Sequence, residues 1–194
     1  MVKLIGFKKV NTAVFISGTG SNLKSLIKFS LLKKSPIKIN LIVSSNIKAK
    51  GLEYAKLYKI KKKTYNFKNT SFSEKVLLKD LEINKINLIC LAGFMIILSK
   101  NFIKKFNGKI LNIHPSLLPK YKGLNTHERV IKNNEKFSGC TVHYVNSELD
   151  AGKIIMQKKV KVSKKENPQS LKEKILKQEH QIYPKAISKV LTSL

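Results

Sequence analysis

The architecture of this chain follows from one decapeptide, Ile110-Leu111-Asn112-Ile113-His114-Pro115-Ser116-Leu117-Leu118-Pro119. Its first four residues are apolar apart from Asn112 and predict a short buried strand. Residues two apart in a strand point to the same face, so Asn112 and His114 aim at one small volume. Pro115 has no N–H to donate and ends the strand. An amide donor beside a titratable imidazole, at the end of a strand, suits addition to a carbonyl group.

Outward from this decapeptide, apolar segments alternate with amphipathic ones. The first half alternates strand with helix, which predicts an α/β fold with a mostly parallel sheet and helices on both faces. The last two strands have no helix between them, which leaves antiparallel pairing open. The predicted strands are 12–17, 37–44, 63–66, 86–92, 109–113, 140–145 and 154–162. The predicted helices are 21–32, 52–58, 73–81, 101–106, 126–132, 170–177 and 181–191.

Length and composition predict one globular domain over residues 1–194. The chain has 194 residues, of which 42% are hydrophobic, enough for a full core. The longest apolar run, 88–98, is too short to span a bilayer. No cleavage site follows the basic N-terminus, so we predict no export signal. Cys90 and Cys140 lack metal spacing, which favours two reduced, buried thiols in a cytoplasmic protein.

The chain carries a formal net charge of +28, with 39 Lys and Arg residues. Only Arg129 is Arg, whereas nucleic-acid readers commonly use Arg for bidentate and stacking contacts. The lysines are spread along the whole length, and Lys, Ile and Asn share A/T-rich codons. We therefore favour a composition bias over a nucleic-acid function. Anionic small molecules are attracted in either case.

A strand runs into a glycine-rich turn and then a helix at Ile16-Ser17-Gly18-Thr19-Gly20-Ser21-Asn22-Leu23. Such a turn exposes backbone N–H groups at a helix N-terminus, which favours phosphate. Alternatively, Ser21 or Asn22 could do no more than cap the helix. Leu23 stands where a dinucleotide fingerprint has its third glycine, and the first acidic residue is Glu53. These departures favour a sugar phosphate over NAD.

The segment Leu91-Ala92-Gly93-Phe94-Met95-Ile96-Ile97-Leu98 begins as a strand and continues past its C-terminal end. Ligands of open α/β sheets bind outside those ends. A glycine followed by bulky apolar residues could form a wall for a flat heterocycle that is bound through backbone amides. The alternative is plain hydrophobic core.

The acidic segment Ser147-Glu148-Leu149-Asp150-Ala151-Gly152 lies between two predicted strands. A carboxylate of Asp150 near His114 would orient the ring and raise the pKa of the imidazole. The alternative for Asp150 is a turn residue. His143 alternates within a strand and is interpreted as structural. Glu179, at a helix junction, could reach a ribose hydroxyl.

Together these motifs resemble the glycinamide ribonucleotide formyltransferases, a folate-dependent family of purine synthesis. The match runs in order from about residue 13 to residue 187. The HPSLLP segment is specific to folate-dependent formyltransferases as a group, and the GTGSN loop points to the glycinamide ribonucleotide members. The segments that carry the resemblance are ISGTGSNL at 16–23, LAGFMIILS at 91–99, LNIHPSLLPKYKGLNTH at 111–127, ELDAG at 148–152 and QEHQIYP at 178–184.

The resemblance implies a Rossmann-like formyltransferase fold. It also implies transfer of a formyl group from 10-formyltetrahydrofolate, as cosubstrate, to the amine of glycinamide ribonucleotide, without a metal. By motif, the catalytic residues are Asn112, His114 and Asp150. The substrate-binding residues are Gly20, Ser21, Asn22 and Glu179, and the cofactor-binding residues are Lys75, Met95, Ile96, Ile97, Leu98 and Asn112. The nucleotide-binding half would span about 12–110 and the folate and catalytic half about 90–194.

The sequence also departs from the family. Ile96 and Lys75 stand where relatives have Arg, Lys122 replaces a usual Pro and Ala151 a usual Gly, which bears on folate affinity. Methionyl-tRNA formyltransferase has an additional C-terminal domain, and formyltetrahydrofolate hydrolase has a regulatory domain and a His in place of Pro115. Both remain alternatives, and a basic nucleic-acid-binding module is the less favoured one. We expect a cytoplasmic monomer or weak dimer that binds small molecules, without a membrane partner.

Overall fold

The computed structural model describes residues 9–192, so both ends of the predicted 1–194 domain, including the basic segment 1–8, lie outside the described residues. Within 9–192, seven strands form one sheet in the order β3-β2-β1-β4-β5-β6-β7. The strands are β1 (Val10–Ile16), β2 (Ile37–Ser44), β3 (Lys61–Thr64), β4 (Leu88–Leu91), β5 (Lys109–His114), β6 (Phe137–Tyr144) and β7 (Ile154–Lys161).

The sheet is parallel from β1 to β5, and β6 and β7 each run antiparallel to the preceding strand. The predicted α/β class and the antiparallel pairing of the last strands are therefore confirmed. β5 ends at His114, immediately before Pro115, as the missing N–H of proline requires. β6 begins at Phe137, earlier than predicted, because Gly139 lies inside the strand and not in a turn. A Cβ at Gly139 would clash with the carbonyl of Lys158 on β7.

Helices cover both faces of the sheet, as predicted. The helices are α1 (Ser21–Leu31), α2 (Leu52–Leu57), α3 (Thr70–Ile83), α4 (Lys100–Lys105), α5 (Thr126–Lys132) and α6 (Pro168–Thr192), with a 3-10 turn at Phe67–Asn69. Alternate residues of β1 enter different cores. Val14 packs with residues of α1, α2, α5 and α6, whereas Phe15 packs with residues of α3 and α4. This alternation is the expected result of a period of two along a strand.

The C-terminal helix corrects one prediction. Two helices, 170–177 and 181–191, were expected, but α6 is a single helix of 25 residues with Pro184 inside it. Proline removes the N–H that would bond to the carbonyl four residues earlier, which is that of His180. The hydroxyl of Ser25 on α1 donates to this carbonyl at 3.1 Å. A side chain of another helix thus supplies the hydrogen bond that Pro184 removes.

No helix within residues 9–192 combines the length and apolar character needed to cross a membrane.

The C-terminal ends of β1, β4 and β5 meet at one edge of the sheet. From β1 the chain adds β2 and β3 on one side, and it then crosses over to add β4 and β5 on the other side. The strand order therefore reverses between β1 and β4. In open α/β sheets ligands bind at such a switch point. The loops that follow β1 and β4 and the end of β5 therefore outline the candidate site.

Candidate active site

The end of β5 places Asn112 and His114 side by side. The two residues are opposite His143 and Thr141 of β6, respectively, in the strand register. The side chain of His114 is only 7% exposed. The predicted convergence of the two side chains is present because both point to the same face of a paired strand.

Asp150 reaches the same place from the loop between β6 and β7. Its carboxylate lies 3.3 Å from Nδ1 of His114. It accepts a hydrogen bond from Nδ2 of Asn112 at 3.3 Å and one from the N–H of Gly123 at 2.9 Å. The backbone at Asp150 has a φ of 48°, a left-handed conformation that Asp tolerates better than most residues. The structure thus brings together the three side chains that the sequence singled out as catalytic.

The carboxyl group of Asp150 is ionised at neutral pH. Burial raises its pKa, but the imidazole of His143, the N–H of Gly123 and the ring of His114 together outweigh burial, so the pKa lies below the usual value. A negative charge is therefore fixed within a few ångströms of the His114 ring.

The two nitrogens of His114 both face acceptors. Nε2 lies 2.8 Å from the carbonyl oxygen of Tyr121, and Nδ1 faces Asp150. Burial lowers the pKa of His114, and the Tyr121 carbonyl and the charge of Asp150 offset this only in part. The expectation that Asp150 raises this pKa overall is therefore wrong, because the cost of burying an imidazolium is larger.

A neutral His114 ring follows from this pKa in the ligand-free protein at pH 7. Its proton sits on Nε2, since the carbonyl of Tyr121 can only accept a hydrogen bond. Nδ1 then holds a lone pair beside the carboxylate of Asp150. This arrangement favours uptake of a further proton at Nδ1.

His143 contacts the site, which sequence reasoning missed. It is a buried strand histidine, as interpreted, but its Nδ1 faces the carbonyl of Tyr144 at 2.8 Å and its Nε2 lies 3.2 Å from Nδ2 of Asn112. The carbonyl of Tyr144 accepts from Nδ1–H, and Nε2 faces the Asn112 amide and, at 3.6 Å, Oδ1 of Asp150. Asp150, whose ionised carboxylate can only accept, fixes the Nδ2 end of the Asn112 amide, and His143 lies at the same end. The sequence carried no signal for this contact, because it depends on the pairing of Asn112 with His143 across β5 and β6.

The glycine-rich turn joins β1 to α1. Gly20 adopts a φ of 73°, and α1 starts at Ser21 without a side-chain cap, so the capping alternative for Ser21 and Asn22 is wrong. A Cβ at Gly20 would lie 2.7 Å from Cα of Gly51, so Gly20 is required by packing between two backbones. α1 thus begins just after the C-terminal end of β1, at the switch point of the sheet.

Asn22 and Glu179 meet although they lie far apart in sequence. Nδ2 of Asn22 donates to Oε2 of Glu179 at 2.6 Å, and both residues are buried. Burial raises the pKa of Glu179, and the bond from Asn22 offsets part of this effect. Oδ1 of Asn22 is buried without a hydrogen-bond partner among the described residues. Two predicted substrate-binding residues, from α1 and α6, therefore form one polar pair at the start of α1.

The segment after β4 lies beside the glycine-rich turn. The N–H of Met95 donates to the hydroxyl of Ser17 at 2.9 Å, so that N–H is already used within the protein. The side chains of Met95 and Ile97 are exposed, whereas Leu98 is buried. Within residues 9–192, no hydrogen bond engages the backbone of Ile96 or Ile97. These two residues therefore have free backbone groups of the kind predicted for heterocycle binding.

Lys75 is exposed on α3, and no contact within the described part of the chain joins it to segment 95–98. Its neighbour Glu74 is buried and accepts hydrogen bonds from the N–H and the hydroxyl of Ser99. α3 is thus attached to the end of the segment through Glu74, and the role predicted for Lys75 stays a prediction.

Within residues 9–192, no group of three His, Cys, Asp or Glu side chains is arranged to hold a metal ion.

The fold and this site define a class of protein, and comparison with known proteins agrees. A family model described as formyl transferase matches residues 10–187. The chain belongs to the formyl transferase family.

Among its relatives is the phosphoribosylglycinamide formyltransferase of Haemophilus influenzae, 41% identical over 178 residues, which covers 90% of this chain and 84% of that protein. The trifunctional purine biosynthetic protein adenosine-3 of Homo sapiens is 41% identical over 186 residues, or 94% of this chain, but the chain spans only 18% of that protein's length. A crystal structure of phosphoribosylglycinamide formyltransferase from Anaplasma phagocytophilum superposes with a TM-score of 0.89 at 42% identity, covering 96% of this chain and 88% of that one.

Proposed function

We propose that this protein transfers a formyl group from 10-formyltetrahydrofolate to the amine of glycinamide ribonucleotide, a step of purine biosynthesis. The observation that carries the proposal is the convergence of Asn112, His114 and Asp150 at the end of β5, with separations of 3.3 Å from the carboxylate to the amide and to the imidazole. The names of the relatives and of the superposed structure support the same substrate.

The nucleotide would bind at the start of α1. The N–H groups of Ser21 and Asn22 lie at the positive end of the helix, which favours the phosphate group. Glu179 would accept a hydrogen bond from a ribose hydroxyl, with Asn22 holding the carboxylate in place. The turn is open at Gly18, where an added Cβ would meet no atom within 4 Å. The high positive charge of the chain favours an anionic substrate.

The folate would bind along segment 95–98. The free backbone groups of Ile96 and Ile97 suit the polar edge of a pterin ring, and the apolar side chains around them suit its faces. Lys75 would supply a charge toward the acidic tail. This placement gives a nucleotide-binding half of about 12–110 and a folate and catalytic half of about 90–194 within a single domain, although Glu179 serves the nucleotide from the second half.

The chemistry assigns a role to each catalytic side chain. The neutral glycyl amine attacks the formyl carbon, a C–N bond forms, and the formyl oxygen gains negative charge. Asn112 donates Nδ2–H to this oxygen, as an oxyanion donor does, and gives up its 3.3 Å bond to Asp150 to do so. The formyl donor supplies the carbon unit, and the protein supplies position and charge.

Proton transfer would then run through His114. Nδ1 takes the proton that the attacking amine loses, because Asp150 stabilises the imidazolium that results. The imidazolium next donates this proton to the folate nitrogen as the bond between that nitrogen and the formyl carbon breaks. Because burial lowers the pKa of His114, the ring takes up its second proton during the reaction.

The alternatives receive less support. The superposed structures are phosphoribosylglycinamide formyltransferases, which does not favour a methionyl-tRNA formyltransferase, a formyltetrahydrofolate hydrolase or a basic nucleic-acid-binding module. A cytoplasmic location and a monomer or weak dimer stay predictions.

An absorbance assay tests the proposal. The purified protein is mixed with 10-formyltetrahydrofolate, with and without glycinamide ribonucleotide, and formation of the deformylated folate is followed. We expect turnover only with the nucleotide. Turnover without it would indicate a hydrolase, and no turnover would refute the proposal.

A substitution tests the nucleotide site in the same assay. Asn22→Ala should raise KM for the nucleotide by about tenfold, because the hydrogen bond that holds the side chain of Glu179 is lost. The control Asn107→Ala lies before β5, at the opposite edge of the sheet, and should leave KM unchanged. An unchanged KM in Asn22→Ala would remove the α1 turn from the site.

A further inference from the structure

The loop 121–125 holds the catalytic side chains through its backbone. The carbonyl of Tyr121 faces Nε2 of His114 at 2.8 Å, and the N–H of Gly123 donates to Asp150 at 2.9 Å. One short loop therefore sets the orientation of the imidazole and of the carboxylate together.

This loop has an unusual backbone. Tyr121, Gly123 and Asn125 have φ values of 57°, 78° and 55°, so every second residue is left-handed. Glycine adopts this conformation readily, but a tyrosine does so only when its surroundings compensate for the strain. Anchors outside the loop must therefore hold it.

The principal anchor is Arg129 on α5, the only arginine in a chain with 39 Lys and Arg residues. Its Nη1 donates to the carbonyl of Lys122 at 2.7 Å and approaches that of Leu124 at 3.4 Å. The guanidinium also lies over the ring of Tyr121, 5.2 Å from the centroid. A planar guanidinium can stack on a ring and donate in its own plane at once, which a lysine ammonium cannot do.

Resting on the function proposed above, we propose that Arg129 is a positioning residue for formyl transfer: it clamps loop 121–125 so that Tyr121 and Gly123 keep His114 and Asp150 in their reactive arrangement. Arg129 acts through the loop and does not itself contact the reacting atoms. Position 129 requires the planar, hydrogen-bonding guanidinium group, and a positive charge alone is not sufficient.

A second anchor explains why the loop can be tested without unfolding the protein. The hydroxyl of Tyr121 donates to Glu135 at 2.9 Å and accepts from Asn133 at 2.9 Å. The far end of the tyrosine is therefore held independently of Arg129. Arg129 is itself exposed, so its replacement opens no cavity.

The test is Arg129→Lys, which keeps the charge and removes the planar donor. We expect kcat to fall by about tenfold, since small misplacements of reacting groups slow reactions strongly, while KM for both substrates and the midpoint of thermal unfolding change little. Lys132→Met, on the same helix and also exposed, is the matched control and should behave like the wild type.

An NMR titration of the His114 ring supplies a readout that a purely structural role would not move. The charged or titratable groups that act on this ring are Asp150, His143, Arg129 and His127. Arg129→Lys keeps a positive charge at position 129 and leaves Asp150, His143 and His127 unaltered. If the Tyr121 carbonyl moves away, the pKa of His114 should fall further, because that carbonyl favours the imidazolium.

Wild-type kcat in Arg129→Lys, or a lower kcat with an unshifted His114 titration, would overturn the proposal. If Arg129→Lys fails to fold, Arg129→Ala takes its place. The activity of Arg129→Ala is then measured with added guanidinium and with added ammonium at equal ionic strength. Recovery with guanidinium alone supports the proposal, and equal or no recovery overturns it. Failure of the proposed function can be told apart from failure of this proposal, since it would show as an inactive wild type. The titration of His114 would still report on loop 121–125 in that case.

Discussion

Asp150→Asn is the sharpest perturbation of the site, because the backbone should survive it. Asn adopts the left-handed conformation at least as readily as Asp, so the φ of 48° is not a new strain. The amide oxygen can still accept from the N–H of Gly123. The negative charge 3.3 Å from Nδ1 of His114 is lost, and an amide NH₂ in the position of Oδ1 would face Nδ2 of Asn112, which now donates to that oxygen.

The magnitude follows from these contacts. A hydrogen bond to a charged group is worth about 1.5–3 kcal/mol. Since each 1.4 kcal/mol or so is about tenfold in rate, kcat should fall roughly 10- to 150-fold. KM should stay within about threefold, because the lost interaction stabilises the transition state and not the bound substrates. The pKa of His114 should also fall, since the charge of Asp150 raises it.

The assay is the steady-state transfer of the formyl group, followed by folate absorbance, with an NMR titration of the His114 ring. Glu148→Gln is the matched control, since it removes an exposed carboxylate from the same loop. It should keep wild-type kcat. A kcat for Asp150→Asn within about threefold of the wild type, or a change confined to KM, would refute the proton-transfer role.

Further predictions concern stability and its dependence on pH. Tyr183→Phe should lower the free energy of unfolding in urea by about 1–3 kcal/mol, because the hydroxyl lies 3.0 Å from two buried strand carbonyls; no loss would mean that water satisfies them. Gly20→Ala should cost a similar amount, about 1–3 kcal/mol, since it is strained at a φ of 73° and meets Gly51; an unchanged melting temperature would contradict the packing argument. Burial raises the pKa of Glu179, so its contribution to stability is greatest below the unfolded pKa and is lost as pH rises through the folded one. Glu179→Gln should remove that part of the pH dependence. The free energy of unfolding in urea, measured from pH 4 to pH 8, tests this, and a variant curve parallel to that of the wild type would count against the assignment.

Local sequence patterns predicted most of the sheet. β2 has the predicted bounds, 37–44, because its apolar residues first alternate with Lys38 and Asn40 and then run together before Ser44. Pro115 ends β5 as its chemistry dictates. The break predicted within α6 was wrong because the compensating donor, Ser25, is 155 residues away from His180 in the sequence. Such long-range compensation leaves no local signal.

The site was predictable where side chains carry it and not where the backbone does. Asn112, His114 and Asp150 are chemically distinctive, and strand periodicity brings the first two together. The carbonyl of Tyr121 and the N–H of Gly123 could belong to any residue, so no residue type marks them. The net pKa of His114 depends on burial, which only the packed chain defines.

The bond between Asn22 and Glu179 joins residues 157 positions apart. During synthesis the parallel strands and the glycine-rich turn are made long before α6. A nascent chain can therefore form much of the sheet while its glycine-rich turn, where we propose that the nucleotide binds, still lacks Glu179. Nucleotide affinity should consequently arise only after the last helix docks, so that retention of a ligand reports completion of the whole fold.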